Sequence, residues 1–217
     1  MESKPSAVPP YPTDTLHRRL INLDTAVSLH LYTVFHPVLP FSLLKCLELS
    51  GDGRLFFPIT LSILFFNTTP TAATLLLLNL LIGSLLDLLL IGLIKHLVQR
   101  PRPLYNKNMF LSFAVDHWSF PSGHSSRVSF IATFSSIYSD QIAEFWLLKL
   151  GNLDAESWIV EHFVLMVGLW AAATSVSRVL LGRHFMLDVV AGALLGILEG
   201  LLVFRVFNFE NLSFWFR

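Results

Sequence analysis

The sequence predicts an all-α fold: a polytopic bundle of five or six membrane-spanning helices with an interfacial N-terminal helix. Three observations carry this. Hydrophobic residues make up 53% of the 217-residue chain and charged residues only 14%, with a mean hydropathy of +0.62, whereas charge approaches a quarter of an ordinary soluble domain. Several apolar runs reach the roughly 20 residues that cross about 30 Å of hydrocarbon. The strongest polar clusters fall at the ends of those runs rather than across them. Fifteen basic residues balance fifteen acidic ones, so neither nucleic acid nor an acidic surface is implied as a partner. The single cysteine, Cys46, excludes an internal disulfide framework and reads as a small buried apolar residue.

The elements follow in order. "MESKPSAVPPYPTDT" is rich in proline and hydroxyls and carries Glu2 and Asp14, so residues 1–20 read as a disordered leader. A signal peptide would need an apolar core after a basic start, and a transit peptide would avoid the acids. Membrane insertion therefore relies on the internal segments of a single membrane-embedded domain, 21–210, followed by a tail, 211–217. Residues 24–48 carry Asp24, His30, His36, Pro37, Pro40, Lys45 and Glu48. So many polar groups and breakers favour helices lying in the interface, with a full crossing as the alternative. Residues 55–66 form a short fifth span, and 72–94, 159–181 and 185–207 are long enough to cross outright. The run 124–142 is rich in serine and crosses only within a bundle, where hydroxyls bond to the helix or its neighbours. "SDQIAEFWLLKLGNLDA" and "ESWIVEHF" read as an interfacial linker. No internal repeat is evident.

An up-and-down path through these spans brings four polar positions to one side of the membrane: Lys95 at the end of one helix, His124 at the start of the next, Arg178 near the end of the third and His184 at the start of the fourth. A single charge near a helix end is usually a snorkelling anchor. Four sets converging on one face point to a site.

Each set suits an anion. In "KHLVQRPRP", Lys95 and Arg102 approach from different directions, because Pro101 and Pro103 end the helix between them. In "PSGH", Pro121, Ser122 and Gly123 lead into a helix whose first N–H groups lack internal partners, a ready anion cradle. In "SRVLLGRHFMLD", Arg178 offers a planar fork for phosphate and Gly182 a tight turn. His184 and Asp188, four apart, fall on one helical face. There the carboxylate can accept from one ring nitrogen and leave the other bare, an arrangement fit for a nucleophile.

Lys95-x6-Arg102-Pro103, Pro121-Ser122-Gly123-His124 and Ser177-Arg178-x5-His184-x3-Asp188 together resemble the three-part signature of the phosphatidic acid phosphatase type 2 and vanadium haloperoxidase superfamily. The longer strings "LLDLLLIGLIKHLVQRPRP", "DHWSFPSGHSSR" and "SRVLLGRH" are similar to its polyisoprenoid (presqualene) diphosphate phosphatase branch. The resemblance covers roughly residues 40–205. It implies an integral membrane phosphatase of lipid phosphates or isoprenoid diphosphates, acting through a phosphohistidine without a metal or other cofactor, and an endoplasmic reticulum location. It further implies that His184 attacks phosphorus, that Asp188 holds its tautomer, and that His124 serves as acid and then base. Lys95, Arg102, Arg178, Ser122 and the Gly123 N–H would stabilise the equatorial oxygens, each donor contributing on the order of 3 kcal/mol.

Weaker assignments complete the expectation. Arg127, three residues after His124, and Arg100 are read as contacts to the second phosphate of a diphosphate. Asp87, in mid-span, is read as a structural hydrogen-bonding group, and His96, His117 and His162 as interface residues. No further His, Cys or carboxylate cluster has metal-ligand spacing. Phe110, Phe113 and Phe120 are expected beside the lipid tail, where it enters sideways between helices. Arg18 and Arg19 share the site's face with five crossings and lie opposite it with six. Two other classes compete: a non-catalytic protein that binds or moves lipid phosphates, and a vanadate-holding oxidation enzyme. His124, His184 and Asp188 argue against the first, since binding alone needs neither nucleophile nor acid.

Overall fold

The computed structural model describes residues 16–66, 72–105, 117–150 and 156–215, and among these every regular element is a helix. In chain order they are α1 (Leu16–Phe35), α2 (Phe41–Ser50), α3 (Gly53–Phe66), α4 (Ala72–Val98), α5 (Gly123–Ile137), α6 (Ser139–Leu150), α7 (Glu156–Leu180), α8 (Met186–Arg205) and α9 (Phe209–Trp215). Among the described residues three stretches are long and apolar enough to cross a bilayer, Ala73–Val98, His162–Leu180 and Met186–Arg205, and Phe56–Phe65 is a shorter apolar helix.

The centre of the bundle is α5, which packs most extensively on α8 and then on α7. The reason is written in α8. Gly192 and Gly196 let the two backbones touch: a Cβ at Gly196 would stand 2.0 Å from the Ser126 carbonyl oxygen, and one at Gly192 2.4 Å from that of Ser122. Small residues replace the hydrophobic drive that lipid-solvated helices lack. The opposite face of α8 presents Val190, Leu194, Ile197 and Leu201 outward, while Asp188 and Glu199 are fully enclosed. Farther from the motif end, Phe130, Phe134 and Val203 form an apolar core with Leu76 and Leu80 of α4.

Several boundaries differ from the sequence expectation. The run 124–142 is two helices, broken at Tyr138, whose N–H bonds to the Phe134 carbonyl. Ser139 and Asp140 favour a fresh helix start there. Residues 16–20 belong to α1 rather than to the leader, and 211–215 to α9 rather than to a tail; 1–15 and 216–217 lie outside the described residues. Cys46 is exposed, not buried.

The polar residues of α1 have a structural use. Asp24 and Ser28, one turn apart and buried, accept from the Leu187 N–H (2.9 Å) and the Met186 N–H (2.8 Å). Asp188 Oδ2 accepts from the Phe185 N–H at 2.9 Å. The donors that open α8 would otherwise be orphaned, and three side chains satisfy them. This clamp fixes the segment just before α8, where His184 lies.

Candidate active site

The connections that carry the motifs are stitched together first. Pro101 and Trp118 form an isolated bridge, and the Ser119 N–H donates to the Arg100 carbonyl at 2.8 Å. Gly182, with φ of +68°, makes the left-handed turn that returns the chain from α7 to α8. These two links, with the α8 clamp, gather the ends of α4 and α7 and the starts of α5 and α8 around a single cavity of about 1010 Å³.

Lys95, Arg102, Gly123, His124, Arg127, Arg178 and His184 all line that cavity. Lys95, Arg178 and His184 are buried there. The wall thus joins a cationic head, Lys95, Arg102 and Arg178, to apolar side chains, Leu49, Phe57, Pro58, Leu88 and Ile91.

His184 sits just outside α8 rather than on it. Its Nδ1 donates to the Ser119 carbonyl at 2.7 Å, and Asp188 Oδ2 stands farther off, at 3.7 Å. A carbonyl can only accept, so Nδ1 carries the proton and Nε2 keeps its lone pair. Arg102 Nη1 lies 3.2 Å from Nε2 and donates as well to the Arg183 carbonyl at 2.9 Å. Burial, and then the charges of Arg102, Arg178 and Lys95, hold the imidazole pKa well below its ordinary 6.5. The ring is neutral, and the lone pair of its unprotonated Nε2 accepts from Arg102. His124 Nε2 is buried with no hydrogen-bond partner.

Four expected site residues are used differently. Ser122 is wholly buried and caps α5, its Oγ accepting from the Ser125 N–H at 3.4 Å, and it is not among the residues that line the cavity. Asp188 caps α8 and pairs with Arg100 Nη1 at 2.7 Å, so the direct partner of His184 is the backbone of Ser119. Arg100, read as a second-phosphate contact, is held between Asp188 and Asp24, the latter also at 2.7 Å. Arg127 remains on the cavity wall, but its Nη2 donates to Asp87 Oδ2 at 3.0 Å. Asp87 therefore does bond to a neighbouring helix. Phe120 is half-buried, and Phe110 and Phe113 lie outside the described residues.

Sequence reasoning missed a further group. Lys45, Glu48, Asp52, Gly53 and Arg54 line the same cavity. Glu48 Oε1 lies 2.8 Å from Arg178 Nη1 and 3.6 Å from Arg183 Nε, and Lys45 Nζ donates to Oε2 at 2.6 Å. Burial pushes this carboxyl up, yet Arg178, Lys45 and Arg183 outweigh it and hold the pKa at about 2. The available signal was a string of charges and glycines, "KCLELSGDGR", in a segment otherwise short of a complete span.

A helical membrane bundle with a histidine and arginine anion centre at the ends of its central helices is the class that fold and site define. The model of the PAP2 superfamily matches residues 72–212. The probable lipid phosphate phosphatase beta of Arabidopsis thaliana is 39% identical over 204 residues, covering 90% of this chain and 93% of that protein. The crystal structure of a transmembrane PAP2 type phosphatidylglycerolphosphate phosphatase from Bacillus subtilis shares the fold, with a TM-score of 0.65 at 22% identity over 92% of this chain and 88% of that one. Aquifex aeolicus LpxE gives a TM-score of 0.54 at 25% identity, covering 82% and 94% respectively. The chain belongs to the PAP2 superfamily.

Proposed function

We propose that this membrane phosphoric ester hydrolase releases phosphate from a lipid phosphate or isoprenoid diphosphate through a phosphohistidine at His184. The observation that carries the reading is the unprotonated Nε2 of a neutral, buried imidazole, oriented by the Ser119 carbonyl and facing a cavity lined with cations. Lys95, Arg102 and Arg178 would take the equatorial oxygens, with the N–H groups that open α5 at Gly123 and His124. Once phosphate draws the Arg102 guanidinium to itself, Nε2 is free to attack. The Nε2–P bond forms as the bond from phosphorus to the bridging oxygen breaks, and His124 gives its proton to that leaving oxygen. An arriving phosphate dianion favours the imidazolium that this step needs. Water then attacks the phosphohistidine while the now neutral His124 takes its proton, so phosphate leaves and both rings return to their starting state.

The apolar side chains that α3 and α4 give to the cavity wall, Phe57, Pro58, Leu88 and Ile91, support a lipid-borne substrate. The names of the relatives support a lipid phosphate. The similarity to the presqualene diphosphate branch favours an isoprenoid diphosphate, with phosphatidate-type monoesters next. Five or six crossings follow if α3, α4, α5 with α6, α7 and α8 traverse the bilayer and α1 lies in or across it; glycosylation tags at both termini decide between them. Residence in the endoplasmic reticulum membrane rests on the resemblance and is tested by imaging a tagged chain.

The function is tested by phosphate release from farnesyl diphosphate and from phosphatidate by purified protein in the presence of a chelator, together with trapping of labelled enzyme by an alkaline detergent quench. An acid-labile, alkali-stable phosphoprotein that His184→Ala does not form is the expected result. Binding of either lipid without release would favour the transport reading.

A further inference from the structure

The family model begins at residue 72, yet one wall of the cavity comes from the α2–α3 elbow, residues 45–54, which precedes it. The elbow is fitted to the motif residues. A Cβ at Gly51 would lie 2.9 Å from Thr174 Cγ2 and 3.6 Å from His124 Cδ2, and one at Gly53 3.0 Å from the guanidinium carbon of Arg127. With its backbone pressed this close, the elbow delivers the Glu48 carboxylate to Arg178, the arginine of the third motif, at 2.8 Å.

Arg178 is 1% exposed, and a guanidinium so enclosed is costly without an anion. Glu48 supplies one. Its two oxygens divide their work: Oε1 faces Arg178 and Arg183, while Oε2 accepts from Lys45, three residues earlier on the same helix. The carboxylate can therefore leave Arg178 by side-chain rotation and keep a cation beside it. Phosphate and carboxylate are both anions that pair with a guanidinium, so a substrate phosphate on Arg178 competes with the Glu48 oxygen that stands against Nη1.

We propose that Glu48 is the resident anion of the phosphate cradle, holding Arg178 while the site is empty and withdrawing to Lys45 when phosphate arrives. The inference rests on the reading of this cavity as a phosphate site and adds a positioning residue to it. Glu48 keeps the cationic head intact between turnovers. It also weakens the hold on inorganic phosphate, since returning to Arg178 helps to expel the product.

The test measures binding of inorganic phosphate to the detergent-purified full chain, by the rise in unfolding temperature with phosphate concentration, alongside its inhibition of turnover. Glu48→Gln removes the competing charge and keeps the shape, so phosphate should bind at least about fivefold more tightly, the scale of a partly screened ion pair. Product inhibition should deepen by the same factor. Glu48→Asp keeps the charge but shortens its reach toward Arg178, and should shift binding in the same direction by a smaller factor. Unchanged or weaker phosphate binding in whichever of these variants folds would overturn the proposal and leave Glu48 a purely structural partner of Arg178. A native protein that binds no phosphate would instead overturn the phosphate-site reading, and this inference with it.

Discussion

Two charged clusters lie in this bundle, built from the same residue types but with opposite balance. Around the cavity, Lys45, Lys95, Arg102 and Arg178 outnumber the carboxylates of Glu48 and Asp52. In the interior, Arg127 meets Asp87 at 3.0 Å, and Glu199 lies beside Asp87 while accepting from Ser126 Oγ at 3.3 Å. Here two acids surround one base. The first cluster opens on a cavity and has positive charge to spare, which suits an anion that comes and goes. The second is enclosed among α4, α5 and α8, and it ties three helices together. An excess of charge facing a cavity is a binding device, whereas a closed set deep in the bundle is a fastening, even though Arg127 touches both.

The contrast can be broken experimentally, most severely at the nucleophile. His184→Ala should lower phosphate release roughly a thousandfold or more in a chain that still folds; substantial residual turnover would remove the cavity's claim to chemistry. In the interior cluster the pattern should invert. Asp87→Ala leaves Arg127 enclosed without its partner and should cost about 3 to 5 kcal/mol of stability, whereas Asp87→Ala with Arg127→Met should recover most of it, because an enclosed pair is often replaceable by apolar side chains. Thermal unfolding of both variants in detergent measures this.

Lys95→Met probes the surplus itself. It should reduce kcat/KM on the order of a hundredfold, with little loss of stability. Ser28→Ala removes one of the side chains that cap α8 and should destabilise by about 1 kcal/mol, with activity falling only as far as His184 loses its orientation. A further test concerns pH. Glu48 is held near 2 against an ordinary 4.5, so its ion pairs contribute in full above pH 4.5 and fade as pH falls toward 2. In Glu48→Gln that part of the acid destabilisation should be absent from unfolding curves between those limits.

Much of the site was legible because its chemistry is tied to helix ends. Lys95, Arg102, His124, Arg178 and His184 interrupt or bound apolar runs, and polar groups in such positions stand out in a sequence of this composition. Asp188, Ser122 and Arg100 were equally visible, but their partners were not. Each has a short-range alternative to a ligand: a helix start for Ser122, a cap and a guanidinium for Asp188, two carboxylates for Arg100. Spacing along the chain cannot rank these. The 3.6-residue rule put Asp188 beside His184, yet α8 begins only at Met186, so the ring turns to the Ser119 carbonyl instead.

The N-terminal region was the least legible. Asp24 and Glu48 read as polar groups of interfacial helices, because their partners Leu187 and Arg178 lie more than a hundred residues away at the start of α8 and the end of α7. The sequence by itself determined that the chain is a helical membrane protein, where its longest helices run and which cations and imidazoles cluster at their ends, since hydrophobic length and local charge are properties of short segments. Tertiary structure alone decided which acid holds which base and how a carbonyl orients the nucleophile. It also decided how the α2–α3 elbow closes the cavity, since charge pairing across a bundle depends on distances that no spacing along the chain encodes.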